Sequence, residues 1–301
     1  KKNTFILVLL SETTDGIGFA KKILEKHGGI YYTKKIQLEK HGKDNLLNLL
    51  ETTQDNILNQ QKIINYIYKY NRFEVVLFEL KEVKNRINIM DKLNSLNGKK
   101  TMAIMTNTHE KTLELAQLFF NDNSIHFLNY SKPKRSEEFK EIIKSYKKFL
   151  KENNIEADKT CIISNGVYES FGFSINKIIS LSYIHQDVYS SLPDHSNFVS
   201  KNKVLLKLNK NIDDIIFNPD NYYYSCGLKF ASLQTMKEIE RSFGINKNQD
   251  AIRLINKILG KWRFNKEKEI LVYSLKKKLS IVRLKVIQIK LNILEQIKIK
   301  L

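Results

Sequence analysis

Cysteine and proline are both scarce in this chain, and each shortage closes off a class of structure. The two cysteines, Cys161 and Cys226, lie far apart and in no Cys-x-x-Cys spacing, so they offer no disulfide framework and are expected as reduced thiols in a cytosolic setting. Three prolines and eleven glycines are too few for a fibrous or turn-dense all-β chain. Long apolar runs are missing as well. Phe5 to Leu10 is followed at once by Glu12 and Asp15, which is too short for a leader peptide, and no stretch approaches the roughly 18 apolar residues that span a bilayer. The six histidines form neither His-x-x-x-His nor His-Glu-x-x-His, so a zinc site has no support.

What is present is an ordinary globular interior under an unusual charge. Apolar residues make up 42% of 301 positions, enough for two domains with real cores. The net charge is +19, and residues 261–301 hold twelve Lys and Arg against three Glu, so +9 of it sits in the last 41 residues. There, Leu279, Val282, Val286, Ile289, Ile293 and Ile297 recur in steps of three or four. That pattern predicts a basic amphipathic helix, with alternation at Ile287, Ile289 and Leu291 as a strand alternative. Such a helix either packs its stripe on the body or rests on an anionic membrane surface; binding to nucleic acid is a weaker reading without a known motif.

Read in order, Phe5–Leu10 is a continuous apolar strand, Ile17–His27 a helix closed by Gly28 and Gly29, and Gly29–Leu38 a strand. Helices follow at 45–50 and 60–70, with a strand at Phe73–Leu80. A helix at 83–96, a strand at Thr101–Met105 and a helix at 110–120 complete the alternation. Apolar runs without polar alternation, separated by helices, predict an α/β domain with a mainly parallel sheet over residues 1–130. Asp15-Gly16-Ile17-Gly18 invites comparison with a dinucleotide-binding turn, but the earlier glycine is absent, and the segment reads as a plain strand-to-helix turn. His109 and Glu110 read as the opening of a helix, and His126 as a core residue in an apolar run.

Ser131 to Ser136, with Pro133 and three basic residues, marks the boundary. An amphipathic helix at 137–153 leads into a second region, 137–260, followed by the basic tail, 261–301. Within the second region Thr160–Ser164 reads as a strand, Ser164-Asn165-Gly166 as a turn, 167–172 as a short helix and Ile178–His185 as a strand. Lys203–Leu208 reads as a strand, Tyr222–Tyr224 with Gly227–Phe230 as a short hairpin or an extended pair, and Leu233–Phe243 as a helix.

Cys161 to Gly172 with Ile178 to His185 resembles the strand, Gly-Ser turn, helix and Asp-x-Asp strand of nucleotidyltransferases of the DNA polymerase beta superfamily. Gly227 to Lys237 with Lys247 to Ile255 is similar to a downstream element of the same proteins. The resemblance, which takes in some members found among bacterial surface-polysaccharide (capsule or lipopolysaccharide) biosynthesis proteins, implies a smaller α+β nucleotidyltransferase-like domain after the first domain. It implies a triphosphate held by Ser164, Asn165 and Gly166, with Lys229 and Lys237 at phosphates, and a Mg2+ ion held by two acids at i and i+2. Ser180 and Ser182 stand at those two positions, and Asn248 and Ala251 where later acids fall. A neutral hydroxyl is a poor magnesium ligand. The resemblance therefore implies either a degenerate domain or an enzyme with its acids elsewhere, Asp187, Asp194, Asp213 and Asp214 being the nearest. A sugar-nucleotide-dependent glycosyltransferase of the same pathway and a non-catalytic nucleotide- or polyanion-binding module stay open beside it, with a cytoplasmic location, peripheral on the inner membrane through the tail.

Overall fold

The computed structural model describes residues 3–11, 14–51, 57–70, 72–95, 101–133, 135–173, 180–186, 197–207, 211–242 and 249–260. They form a mixed α/β fold built on two sheets. One compact unit, Lys1–Asn248, carries both sheets; in the other, Gln249–Leu301, residues 249–260 are helical and bury Ala251, Ile255, Ile258 and Leu259 along one stripe.

The first sheet uses β1 (Thr4–Ser11), β2 (Gly28–Gln37), β3 (Arg72–Leu80) and β4 (Thr101–Met105) in the order β2-β3-β1-β4. Helix α1 (Thr14–His27) connects β1 to β2, α2 (Lys40–Glu51) and α3 (Ile57–Lys69) lie between β2 and β3, and α4 (Arg86–Asn94) connects β3 to β4. Every pairing in this sheet is antiparallel: β1 with β3, β1 with β4, and β2 with β3. The expected mainly parallel sheet is therefore overturned. β1 and β2 do run the same way, but β3 is inserted between them, which makes a split β-α-β arrangement.

The physical reason lies in burial. Phe5, Leu7 and Leu9 face a cluster with Ala20, Leu24, Ile89 and Leu93, while Ile6, Val8 and Leu10 face a second cluster with Leu46, Ile67, Leu118 and Phe119. Helices cover both faces, so both alternating sets of β1 must be apolar. A continuous apolar run reports this two-sided burial and carries no information on strand direction. Glu74 of β3 is buried and forms an ion pair with Lys21 of α1, a partner that a buried carboxylate requires.

Helix α5 (His109–Phe119) starts from a capping Thr108, whose Oγ1 accepts from Lys111 N at 3.1 Å. Glu110 falls in the first turn, as expected for that opening. Helix α6 (Asp122–Tyr130) then joins the two sheets. On one side, Asn129 Nδ2 donates to Gln37 O at 3.1 Å and Asn45 Nδ2 of α2 donates to Leu128 O at 2.8 Å. On the other, Asn121 Nδ2 donates to Tyr222 O at 3.2 Å, Asn123 Nδ2 to Asp220 O at 2.8 Å, and Tyr224 N donates to Ser124 Oγ at 2.9 Å. His126, in the same helix, is buried beside the rings of Tyr130 and Phe171, and burial lowers its pKa to about 4.

The second sheet is mixed. Its strands are β5 (Thr160–Ile163), β6 (Leu181–His185), β7 (Phe198–Ser200), β8 (Tyr222–Ser225) and β9 (Leu228–Ala231), in the order β7-β6-β5-β9-β8. Pairing is antiparallel for β5–β6 and β8–β9 and parallel for β5–β9 and β6–β7. Helix α7 (Glu137–Glu152), capped by Ser136, places Tyr146 and Phe149 against Tyr183 and Phe198 with ring centroids 5.0 to 6.2 Å apart. Residues 203–208, read as a strand, fall instead largely in helix α9 (Asn202–Lys207), with Leu208 outside the described residues. A three-residue apolar run, Val204 to Leu206, flanked by Lys203 and Lys207 suits either state, and tertiary packing selects the helix.

Candidate functional site

The region expected to hold a nucleotide begins where β5 ends. Ser164 takes φ 57° and ψ −135°, a backbone conformation that a side chain disfavours. It reverses the chain into α8 (Asn165–Ser170), which is only six residues long. Gly166 is fully packed: a Cβ there would stand 2.6 Å from Ile162 Cγ2 and 3.2 Å from Leu181 Cδ1. The glycine thus lets the helix settle onto β5 and β6.

The Ser164 turn is closed from the side by α11 (Leu233–Ser242). Ser232 caps this helix, its Oγ accepting from Thr235 N at 3.2 Å. One turn in, Met236 is fully buried and its Sδ accepts from the Ser164 N–H at 3.3 Å. Glu240, one turn further, is buried and accepts from the Tyr168 hydroxyl of α8 at 3.0 Å. Burial, then the neighbouring Glu240 carboxylate, pushes the Tyr168 pKa up. Helices α8 and α11 are therefore held together by a thioether contact and a buried phenol-to-carboxylate bond.

Ser182 pairs with Ile163 in the antiparallel register, one residue from the turn, and Ser180 lies immediately before β6. Both are half-buried. Strand alternation gives Ser182 the face of Ile163 and Ile184, opposite to the face on which Ile162 and Leu181 meet Gly166. Ile178 and Ile179 lie outside the described residues.

The two candidate phosphate lysines part company. Lys237 follows Met236 on α11. Lys229 sits on β9, and its ammonium donates to Asp158 O at 2.7 Å and Ile216 O at 3.0 Å beneath the rings of Phe217 and Tyr222. Burial lowers its pKa, with Asp158 partly restoring it. Its charge is used to close the end of α10 (Ile212–Phe217). In the tyrosine run, Tyr222 and Tyr223 are buried, and Tyr223 stacks on Phe127 and Phe230.

The donor set does not suit magnesium. Ser180 and Ser182 bring no negative charge, and among the described residues no three His, Cys, Asp or Glu side chains gather into a metal-holding group. Asp214 accepts from Asn218 Nδ2 at 3.1 Å and Asn221 Nδ2 at 2.8 Å and so staples a turn. Asp187 and Asp194, the later Lys247-Asn248 pair and the basic tail lie outside the described residues. No helix among those residues is long and apolar enough to cross a membrane.

Sequence reasoning missed Met236 and Glu240. Their signal was present as the buried stripe Met236, Ile239 and Glu240 at helical spacing, in which a carboxylate at a core position calls for a specific partner. In comparisons with known proteins, the chain matches no family model, no curated protein and no solved structure.

Proposed function

We propose that the second sheet is a nucleotidyltransferase-like unit that has given up nucleotidyl transfer, in a protein serving bacterial surface-polysaccharide assembly. What supports this reading is the chemistry of β6 beside the turn: Ser180 and Ser182 stand where the resemblance puts the paired acids, and Ser182 lies on the sheet face opposite the one that packs on Gly166. Without those acids nothing at β6 neutralises a triphosphate or aligns it for in-line attack, a loss of several orders of magnitude in rate. The Met236 thioether at the Ser164 amide supports the same reading, because it occupies a donor that a phosphate oxygen would use.

In this reading the unit is a binding module. Its basic segment, residues 261–301, holds the protein at an anionic membrane surface by charge and by its apolar stripe.

Calorimetric titration with ATP, CTP and UTP, with and without magnesium, tests the proposal together with an assay for released pyrophosphate. The expected result is binding that ignores magnesium and no pyrophosphate. Magnesium-dependent binding with turnover would overturn it and point to acids elsewhere in the chain. A Ser180→Asp, Ser182→Asp double variant is expected to gain magnesium affinity; unchanged affinity would remove the basis for the assignment of these two positions.

A further inference from the structure

A cleft of about 240 Å³ runs beside α6, with α2 and α5 forming one wall and the tip of the β8–β9 hairpin the other. Its frame is fixed on both sides by the α6 hydrogen bonds described above. The hairpin tip has no slack: the loop is the pair Cys226-Gly227, both left-handed at φ 53° and 68°, which is the geometry of a tight two-residue hairpin turn. Pockets where separately built layers meet, lined by apolar walls with a few polar groups, are where small ligands bind.

We propose that this cleft binds a monosaccharide-sized polyol carrying one anionic group. The volume suits a single pyranose with a substituent and is small for a dinucleotide. Glu114 and Gln117 of α5 and Asn48 of α2 line it; carboxylate and amide groups together match hydroxyls, which both donate and accept. The half-buried ring of Tyr224 supplies a flat apolar wall. For the anion the cleft offers the Arg135 guanidinium, held over the Phe127 ring at 5.5 Å. A planar fork of donors suits a phosphate or a carboxylate equally. A second cation stands at the same tip, since a Cβ on Gly227 would lie 3.7 Å from the Lys147 ammonium. None of these residues belongs to the Ser164 turn or to β6, and the proposal stands whatever becomes of the nucleotidyltransferase reading.

Cys226 makes the test specific to this place. It lines the cleft and is exposed, whereas Cys161 is fully buried. Modification of the folded full-length protein by a maleimide therefore reads occupancy at the cleft itself. Glucose-6-phosphate or glucuronate is expected to slow Cys226 modification about tenfold at a concentration about ten times its Kd. Protection by one of the two names the anionic group as phosphate or carboxylate. Protection by inorganic phosphate or by glucose to the same extent overturns the proposal, as does protection by nucleotides alone or by nothing. The Arg135→Gln variant is expected to lose protection. Should that variant fail to fold, Glu114→Gln, which keeps volume and removes a charge, is expected to weaken protection, and full protection in it would overturn the proposal.

Discussion

The main-chain N–H of Ser164 donates to the thioether of Met236 at 3.3 Å, across 72 residues of sequence. A sulfur in that position both fills the mouth of the turn and satisfies the N-cap N–H, a donor for which a helix N-terminus supplies no main-chain acceptor. Replacing Met236 by Leu keeps the volume and removes the acceptor, so it is expected to lower stability by about 1–2 kcal/mol, while Met236→Ala costs about 2–5 kcal/mol through the cavity it opens. Urea unfolding of the two variants measures both values; a Leu variant as stable as the parent would show that the sulfur contact contributes only packing.

Ser164 holds a strained backbone without the freedom of glycine. Ser164→Gly is expected to raise stability by about 1 kcal/mol, because such conformations cost roughly 1–3 kcal/mol for residues with a side chain and glycine gives part of that back in unfolded-state entropy. Chemical denaturation midpoints decide it, and a loss of stability would mean that the hydroxyl has a partner of its own.

His126 supplies a pH signature. Its pKa is lowered to about 4 by burial, from 6.5 as a free side chain. The unfolded chain therefore takes up the proton first as the solution is acidified. The stability conferred by the neutral ring is complete above the unfolded value and drains away between there and about pH 4. From ~pH 7 to ~pH 4.5 this residue alone accounts for a loss of about 2 kcal/mol. A His126→Leu variant is expected to show a correspondingly flatter stability profile over that range; an unchanged slope would put the titration elsewhere.

Lys229 is expected to matter for the fold and not for nucleotides. Lys229→Met removes the donor to the Asp158 and Ile216 carbonyls, and leaving those groups without it costs about 1–3 kcal/mol. The same variant should bind nucleotides as the parent does, and titration of both proteins separates the two roles.

What the sequence disclosed depended on the kind of signal. Helix α7 was legible almost to the residue because Ser136 caps it and Phe139, Ile143, Tyr146 and Leu150 return at helical spacing. The β8–β9 hairpin was legible from aromatic strands around a glycine-bearing turn. The direction of β1 was hidden, since Phe5 to Leu10 would look the same in any strand covered on both faces. Helix α6 escaped notice because its role is carried by the amides of Asn121, Asn123 and Asn129, whose partners lie up to 101 residues away. In the candidate site, the strand, turn and helix around Ser164 could be read, and the partner that faces the turn could not. Met236 is an ordinary core methionine until its sulfur is seen beside an amide.

The placement of β1 between β3 and β4 has a consequence for how the molecule is made. Its six most apolar residues must find neighbours contributed by residues 72–80 and 101–105, so closure of the first sheet depends on contacts distant in the chain, the slow kind. During synthesis β1 leaves the ribosome long before either neighbour exists and stays sticky until residue 105 has followed. That interval is the natural window for a chaperone to hold the nascent chain.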